Sequence, residues 1–243
     1  MYRNLGYGYK KRGELSMGIP LLEKLRTVSL LSALSDHTLT DWAMHTSPRS
    51  FPSGQTLLLQ EAWGQGVYCL LEGWVRISRA TAAGSSTLAV LGSPAFFGEM
   101  AVLLETSRSM DVISLSPVEV AVIPAPTFQE WLRRDPLLGQ QLSLELAQRL
   151  RQTNQLLYLR QHSPTVRLVA VLVNFVELYG LPCEGGIALF RIPVTDLADL
   201  AGIPVEQAQG VLEQMEQKKA LSHTADQWIF PQFEQLQQAI QKA

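Results

Sequence analysis

A short stretch of the sequence, FFGEMAVLLETSRSMDV at 96–112, combines residue types that can hold an anionic ligand. Gly98 permits close approach of the backbone, and Glu99 opens an apolar segment that predicts one helical turn with its first N–H groups facing an anion. Ten residues after the glycine, Arg108 adds a guanidinium fork that suits phosphate oxygens, and Ser109 adds a hydroxyl. These residue types at this spacing predict a cradle for a phosphodiester.

Asp111 follows three residues beyond the arginine, where its carboxylate would repel a phosphate. With Arg108 it forms the pattern R-x-x-D, in which the arginine meets a phosphate or a guanine edge while the carboxylate accepts from the N1–H and amino donors of guanine. The pattern is short enough to occur by chance, and alternation along a strand also allows Asp111 to face away. Both interpretations stay open.

The composition indicates a soluble globular chain without a global preference for polyanions. Its 243 residues, 47% of them apolar, suffice for one large or two ordinary domains with a core in each. The net charge of -2 means that any basic face for nucleic acid or an anionic membrane must be local. No apolar run is long enough to span a bilayer.

The two cysteines, Cys69 and Cys183, lack the spacing and the neighbouring histidines of a metal or disulfide framework. The sequence therefore predicts no metal and a reducing, cytoplasmic setting. It also contains no nucleophile-elbow motif and no convincing pair of carboxylates, so an enzyme is the least favoured class.

The order of elements begins with the segment 1–17, which predicts a flexible tail with Met17 as an alternative start, and with a helical lead-in. Between Pro48 and Val122, seven glycines separate short runs rich in β-branched and aromatic residues. This texture predicts a closed antiparallel barrel or jelly roll. Within it, Gly73 is predicted to form the turn of a hairpin.

Helices follow the barrel. One is predicted from Thr127 to a stop at Pro136, and a long helix occupies 137–163. This long helix exceeds what a small barrel covers, which predicts a homodimer seam. The residues assigned to the seam are Leu138, Leu142, Leu146, Leu150, Leu157 and Tyr158, with Leu144 and Leu156 beside them. Ser163 is the predicted N-cap of the next helix and Pro164 its first residue.

The segment 164–243 predicts a winged helix-turn-helix, with Thr195 capping a helix, AGIP as the turn, then a second helix and a two-stranded wing. The predicted fold class is therefore α+β. It comprises a β-barrel domain at 18–136, a dimerisation helix at 137–163 and the winged helix at 164–243.

This order, together with the segments FPSGQTLLLQEAWGQGVYCLLEGWVRIS, FGEMAVLLETSRS and TDLADLAGIPVEQAQGVLEQMEQ, resembles the catabolite-activator (CRP/FNR) family of one-component transcriptional regulators. The resemblance extends from about Gly18 to Ala239. It implies a homodimer in which a cyclic nucleotide in the barrel, a double-stranded β-helix, alters the long-helix seam and the position of the winged helices.

By the family's pattern, Glu99 accepts from a ribose hydroxyl, Arg108 and Ser109 hold the cyclic phosphate, and Thr153 and Asn154 face the base. Asp111 departs from this pattern, because family members that bind cyclic AMP normally carry small or neutral residues there. We therefore favour cyclic di-GMP (c-di-GMP) as the effector, with cyclic AMP (cAMP) as the alternative. A third alternative is a ligand-free barrel closed by a structural Glu99–Arg108 ion pair. Further candidate contacts for the larger ligand are Arg49, Arg76, Arg79, Tyr9, Lys10 and Arg12.

The predicted recognition helix, VEQAQGVLEQMEQKK, has no cation before Lys218. Its candidate base contacts are Glu206, Gln207 and Gln209, whereas the family usually offers arginines at the places of Val205 and Gly210. From residue 165 onward, five basic side chains against nine acidic ones leave a net charge of -4. Because DNA affinity depends on neutralised phosphates, we expect weak or absent autonomous DNA binding. The alternatives are an unusual recognition code and docking onto another transcription regulator.

Overall fold

The computed structural model describes residues 18–81 and 84–241. Tyr9, Lys10 and Arg12 of the predicted tail lie outside the described residues. The described part opens with helix α1 (Gly18–Thr27), a 3-10 helix (Ser29–Ala33) and helix α2 (Asp36–His45). Ser35 caps α2, since its hydroxyl accepts a hydrogen bond from the backbone N–H of Thr38 at 3.2 Å. The leucines of this lead-in pack into one core with the barrel.

The described residues between 49 and 124 form two four-stranded antiparallel sheets. The elements are β1 (Arg49–Phe51), β2 (Thr56–Leu58), β3 (Gly66–Glu72), β4 (Trp74–Thr81), β5 (Gly84–Gly92), β6 (Ala95–Phe97), α3 (Glu99–Leu103), β7 (Asp111–Ser114) and β8 (Val118–Pro124). One sheet has the order β1-β8-β3-β6 and the other β2-β7-β4-β5. This jelly-roll arrangement confirms the predicted barrel class.

Gly73 does not form the predicted hairpin turn. It joins β3 to β4, which belong to different sheets, and β4 pairs with β5 instead. Its φ of +86° is left-handed, and a Cβ atom there would lie 2.2 Å from the carbonyl oxygen of Pro117. A glycine is required because the chain crosses between the sheets in close contact with the β7–β8 connection.

Helix α4 (Ala125–Arg134) begins two residues before the predicted start and is followed by α5 (Pro136–Leu159). Helix α4 ends before Pro136 as predicted, and Pro136 is also the first residue of α5. The intervening Asp135 ends α4 and caps α5, because its carboxylate accepts from the N–H of Leu137 at 3.0 Å.

The predicted α5 seam is divided among three environments. Leu138 and Leu142 are buried in the core that also contains the N-terminal helices, and Leu146 and Leu156 line a cavity. The members of the predicted set that are at least half exposed are Leu144, Leu150, Leu157 and Tyr158. The single predicted face was therefore wrong in part, because one side of α5 is already covered by its own chain.

The C-terminal elements are α6 (Pro164–Tyr179), β9 (Leu181–Cys183), β10 (Gly186–Phe190), α7 (Val194–Ala201), α8 (Val205–Gln217), β11 (Ser222–His223), β12 (Gln227–Phe230) and α9 (Phe233–Gln241). Ser163 caps α6 as predicted. Thr195 does not cap α7, because the helix begins at Val194 and Thr195 lies inside it. The strands form a four-stranded sheet of order β11-β12-β10-β9, larger than the predicted two-stranded wing. Helices α7 and α8 with this sheet make a winged helix-turn-helix.

The winged-helix domain packs directly on the outer face of β4 and β5. Trp74 stacks on Phe190 with ring centroids 5.0 Å apart and meets Tyr179 edge to face at 4.9 Å. The hydroxyl of Thr87 donates to the Asp196 carboxylate at 2.6 Å. Val90 of β5 belongs to the same core as α6, so the two domains share buried apolar surface.

Candidate ligand-binding site

A cavity of about 510 Å³ lies between the jelly roll, α5 and α6. Its walls are mainly apolar, with a few polar groups at the cassette 98–109 and on the two helices. Of the predicted site residues, those that line it are Gly98, Glu99, Arg108, Ser109 and Thr153. Asp111 and Asn154 are not among the lining residues.

Gly98 sets the geometry of the cassette. Its φ of +84° is left-handed, and it is the residue before α3. A Cβ atom there would lie 2.9 Å from Nη1 of Arg108. Nη1 donates to the Gly98 carbonyl oxygen, so the absence of a side chain lets the guanidinium lie directly on the backbone.

Arg108 is a buried cation, with 5% of its side chain exposed. Besides the bond to Gly98, its Nη2 donates to the Gly66 carbonyl oxygen at 2.7 Å. Its Nε is buried and has no hydrogen-bond partner among the described residues. Burial lowers the pKa of the guanidinium, while Tyr68 and Glu99 oppose that change. The residue therefore retains one donor that folding leaves unsatisfied.

Glu99 is buried at 4% exposure and is held from α5. Arg149 donates to its carboxylate at 2.8 Å and to the carbonyl oxygen of Phe96 at 2.6 Å, and it lies over the Phe96 ring at 4.2 Å. The hypothesis of a barrel closed by a Glu99–Arg108 ion pair was wrong on the partner, because Glu99 pairs with Arg149. Sequence reasoning missed Arg149, whose one signal was a cation one helical turn before Thr153.

The polar side chains of α5 differ in whether they line the cavity and whether they are free to contact a ligand there. Thr153 lines the cavity, but its hydroxyl donates to the Arg149 carbonyl oxygen at 3.0 Å. Gln152 also lines the cavity, whereas Asn154 is exposed and faces elsewhere. Arg149, Gln152, Thr153 and Leu156 share one arc of the helix surface, and Asn154 lies about 100° beyond Thr153, outside that arc.

Asp111 lies outside the cavity, a correction to the predicted site. Its carboxylate accepts from the backbone N–H of Gln60 at 2.7 Å, and the Gln60 side-chain oxygen accepts from the N–H of Ala80 at 3.2 Å. Met110 and Val112, its neighbours in sequence, do line the cavity. Strand alternation at the start of β7 thus separates Asp111 from the cassette and assigns it to anchoring the loop after β2.

The additional arginines proposed for a larger ligand are placed away from the cavity. Arg49, Arg76 and Arg79 do not line it. Arg76 instead points toward the winged-helix domain, with Nη1 3.4 Å from the Asp196 carboxylate.

The outward face of α8 carries the three candidate base contacts, and Glu206, Gln207 and Gln209 are all exposed. Two arginines of this domain serve its own fold. Arg167 donates to the backbone oxygens of Ala201 and Gly202 in the helix-turn-helix turn, and Arg191 donates to Thr224 at 3.1 Å while lying over the Trp228 ring. Lys218 and Lys219 are exposed just beyond the helix.

A jelly roll with an anion cradle, joined by a long helix to a winged helix-turn-helix, defines an effector-binding transcriptional regulator. Residues 48–135 match the cyclic nucleotide-binding domain family. The chain is 33% identical to the cyclic AMP receptor protein of Thermus thermophilus over 165 residues, which cover 68% of this chain and 74% of that relative. The chain therefore belongs to the CRP/FNR family of transcriptional regulators.

Solved structures show the same fold. FixK2 from Bradyrhizobium japonicum superposes with a TM-score of 0.70 at 17% identity, covering 79% of this chain and 96% of that one. CLP from Xanthomonas campestris, described as a c-di-GMP responsive global regulator, gives a TM-score of 0.63 at 22% identity, covering 81% and 99%. The predicted family and α+β fold class are thus confirmed. Among the described helices, none has both the length and the apolar character needed to cross a membrane.

Proposed function

We propose that this chain is a cyclic nucleotide-responsive regulator whose cavity holds the effector's phosphodiester at Arg108 and whose output is the winged-helix domain. The observation that carries the proposal is the buried guanidinium of Arg108 on the wall of the cavity, with its Nε left without an acceptor. A buried cation without a counter-charge is costly, and a phosphodiester in the cavity that Arg108 lines supplies the opposite charge and acceptor oxygens.

The neighbouring groups suit the rest of a ribose phosphate. Ser109 is exposed on the cavity wall and can donate to a second phosphate oxygen. Glu99 is fixed by Arg149 through one oxygen, which leaves lone pairs to accept from a ribose hydroxyl. The cassette thus has a cation and a donor for phosphate, and an acceptor for sugar.

Cyclic di-GMP is the first candidate effector because of the extent and volume of the cavity. The space extends from Gly98 past Leu156 on α5 to Leu178 on α6 and Leu200 on α7. Its volume of about 510 Å³ leaves room beyond one base and one ribose phosphate. The position of Asp111 removes the particular guanine contact that the sequence suggested, so this candidacy rests on size.

Cyclic AMP is the second candidate, supported by the compactness of the cassette. Glu99, Arg108 and Ser109 line one end of the cavity, as a single cyclic ribose phosphate requires. The Thermus relative is named a cyclic AMP receptor protein, which supports the same ligand here.

A thermal unfolding experiment tests the proposal. Ligand that binds only the folded state at about 100 times its Kd stabilises it by about 2.7 kcal/mol, which raises the Tm by about 5–10 °C. We expect one of the two nucleotides to do this for the unmodified chain and for Arg133→Ala, a matched control exposed on α4. Arg108→Ala should abolish the shift, and Arg108→Lys should restore part of it. An equal shift in Arg108→Ala would contradict the proposed site.

We also propose a homodimer through α5. Leu144, Leu150, Leu157 and Tyr158 are at least half exposed, and such a row of large apolar side chains marks an interaction surface. The seam is narrower than the sequence predicted because Leu138 and Leu142 are already buried. Leu150→Glu with Leu157→Glu should convert the dimer to a monomer in sedimentation velocity, whereas the exposed Leu59→Glu on the barrel should not.

For the output, we propose weak autonomous DNA binding, with another transcription regulator as the partner that brings the domain to its target. Glu206, Glu213 and Glu216 lie on α8, and the domain's two described arginines are engaged in its own fold. An acidic outward surface favours a basic protein partner over a polyanion.

A further inference from the structure

The winged-helix domain supplies one wall of the effector cavity. Its lining residues come from α6 and α7 and are Val171, Asn174, Phe175, Leu178, Tyr179 and Leu200. A ligand in the cavity therefore touches the output domain of the same chain as well as the jelly roll and α5.

This wall is held in place by specific contacts. Trp74 of β4 packs between Tyr179 and Phe190, and burial raises the pKa of the Tyr179 phenol. The hydroxyl of Thr87 donates to Asp196 at 2.6 Å and its N–H donates to Asp199 at 2.7 Å. The position of α6 over the cavity is thus fixed by both apolar and polar contacts.

Asn174 is the exception on this wall. It interrupts the apolar sequence LVAVLVNFV, and its neighbours Val173 and Phe175 are buried. Its carboxamide is half-buried against the cavity and makes no hydrogen bond within the described part of the chain. Asparagine is a poor helix former. A leucine at this position would stabilise the fold more than a half-buried amide that has no hydrogen-bond partner.

We propose that Asn174 hydrogen-bonds the edge of the effector's nucleobase and so acts as a specificity-determining residue supplied by the output domain. This inference rests on the proposed function. A carboxamide offers one acceptor and two donors, and purine edges present both donors and acceptors. Arg108 lies on the jelly-roll wall and Asn174 on the α6 wall, so a phosphodiester at the first leaves the base to extend toward the second.

The intervening surface suits a base ring. Leu156 of α5 and Phe175 of α6 line the cavity with apolar side chains, against which the faces of a purine can pack. The ligand then contacts the barrel through its phosphate and α6 through its base. Such a bridge gives the ligand a different affinity for different placements of the output domain, which is the requirement for allosteric coupling.

The test is calorimetric titration of the full chain and of Asn174→Ala with cyclic AMP and with cyclic di-GMP. We expect Asn174→Ala to weaken the binding of whichever nucleotide binds by about tenfold, the equivalent of about 1.4 kcal/mol. Glu177→Ala is the matched control, because Glu177 lies on the same helix, bonds to Gln237 and does not line the cavity. Its affinity should equal that of the unmodified chain.

Hydrogen exchange adds a readout that a merely structural residue would not change. Saturating ligand should slow amide exchange across α6 in the unmodified chain and do so less in Asn174→Ala, at equal occupancy. Unchanged affinity and protection in Asn174→Ala, with binding lost in Arg108→Ala, would overturn the role of Asn174 and keep the proposed function. Equal weakening in Glu177→Ala would also overturn it. Absence of binding by both nucleotides to the unmodified chain would overturn both proposals.

Discussion

The arginines of the cassette 98–109 and those around the recognition helix α8 differ in how far their hydrogen-bonding capacity is used by the fold itself. In the cassette, Arg108 is buried, bound to two backbone oxygens, and still has a donor without a partner in the described part of the chain. Around α8, Arg167 and Arg191 are engaged with backbone oxygens of their own domain. The outward helix surface presents Glu206 and Glu213.

This difference shows what each region is prepared to bind. A preformed cation with unsatisfied hydrogen-bonding capacity favours a small anion, since the cost of burial has already been met in folding. A helix face without cations lacks the charge that holds a duplex backbone, so we expect the same molecule to bind a small anion more readily than DNA.

The largest effect is expected from Arg149→Met on α5, which removes the partner of Glu99 in the cassette. Removing this partner leaves Glu99 as a buried carboxylate with its ion pair broken, which should lower the free energy of unfolding by on the order of 2–3 kcal/mol, discounted for the partial exposure of Arg149. Urea unfolding measures the change. Arg151→Met, two residues along α5 and exposed, is the matched control and should change stability by less than about 0.5 kcal/mol. Equal stability of the two variants would show that Glu99 does not depend on Arg149.

On the recognition helix, Glu206→Arg combined with Gly210→Arg should increase DNA affinity by about tenfold or more at low salt, because the helix gains phosphate contacts. A Cβ at Gly210 meets no atom within 4 Å, so the longer side chain has space. Electrophoretic shifts with genomic fragments measure the affinity. Glu234→Arg with Gln238→Arg adds the same charge on α9 and should have a smaller effect. Tight binding by the unmodified chain would contradict the contrast between the two regions.

Thr87→Val tests a contact that joins the jelly roll to the winged-helix domain. It removes the donor to the buried Asp196 carboxylate, so we expect a loss of about 1–2 kcal/mol in unfolding free energy and faster amide exchange in α7. Ser85→Val, on the same strand and exposed, should leave both unchanged. Unaltered exchange in α7 would mean that the remaining contacts between the domains, such as the Trp74 packing and the bond from the Thr87 N–H to Asp199, hold α7 without this hydroxyl.

The smallest effect is expected from Asp111→Ala. The variant loses the acceptor for the Gln60 N–H, which should cost about 1 kcal/mol of unfolding free energy, while nucleotide affinity stays within about twofold. Denaturant unfolding and titration check the two parts. A large loss of cyclic di-GMP affinity would restore the R-x-x-D site that the strand geometry removes.

Local sequence was sufficient to predict the cassette, because Gly98, Glu99, Arg108 and Ser109 lie within one turn, one short helix and one loop. It was insufficient for Arg149 and Asn174, which reach the cavity from α5 and α6 and whose approach depends on packing across fifty or more residues of chain. Asp111 was misplaced for a simpler reason. A shift of one position in a strand reverses the side-chain direction, and no sequence pattern fixed that register.

The fold, too, could be predicted where local sequence decides it and not where distant parts of the chain pack together. Glycine spacing and β-branched runs predicted a closed antiparallel barrel or jelly roll, but not that Gly73 carries the chain from one sheet to the other, since this depends on the contact with Pro117. Ser163 was recognised as a cap because Pro164 follows it, whereas Pro193 preceded the start of α7 and Thr195 was chosen instead.

The most direct test of the central claim is calorimetric titration of the purified chain with cyclic AMP and cyclic di-GMP in parallel, repeated with Arg108→Ala. The account predicts that one nucleotide binds the unmodified chain and that Arg108→Ala weakens this binding by about a hundredfold, because a buried charge partner of the phosphate is removed. Binding that survives in Arg108→Ala, or no binding of either nucleotide to a folded chain, would contradict it.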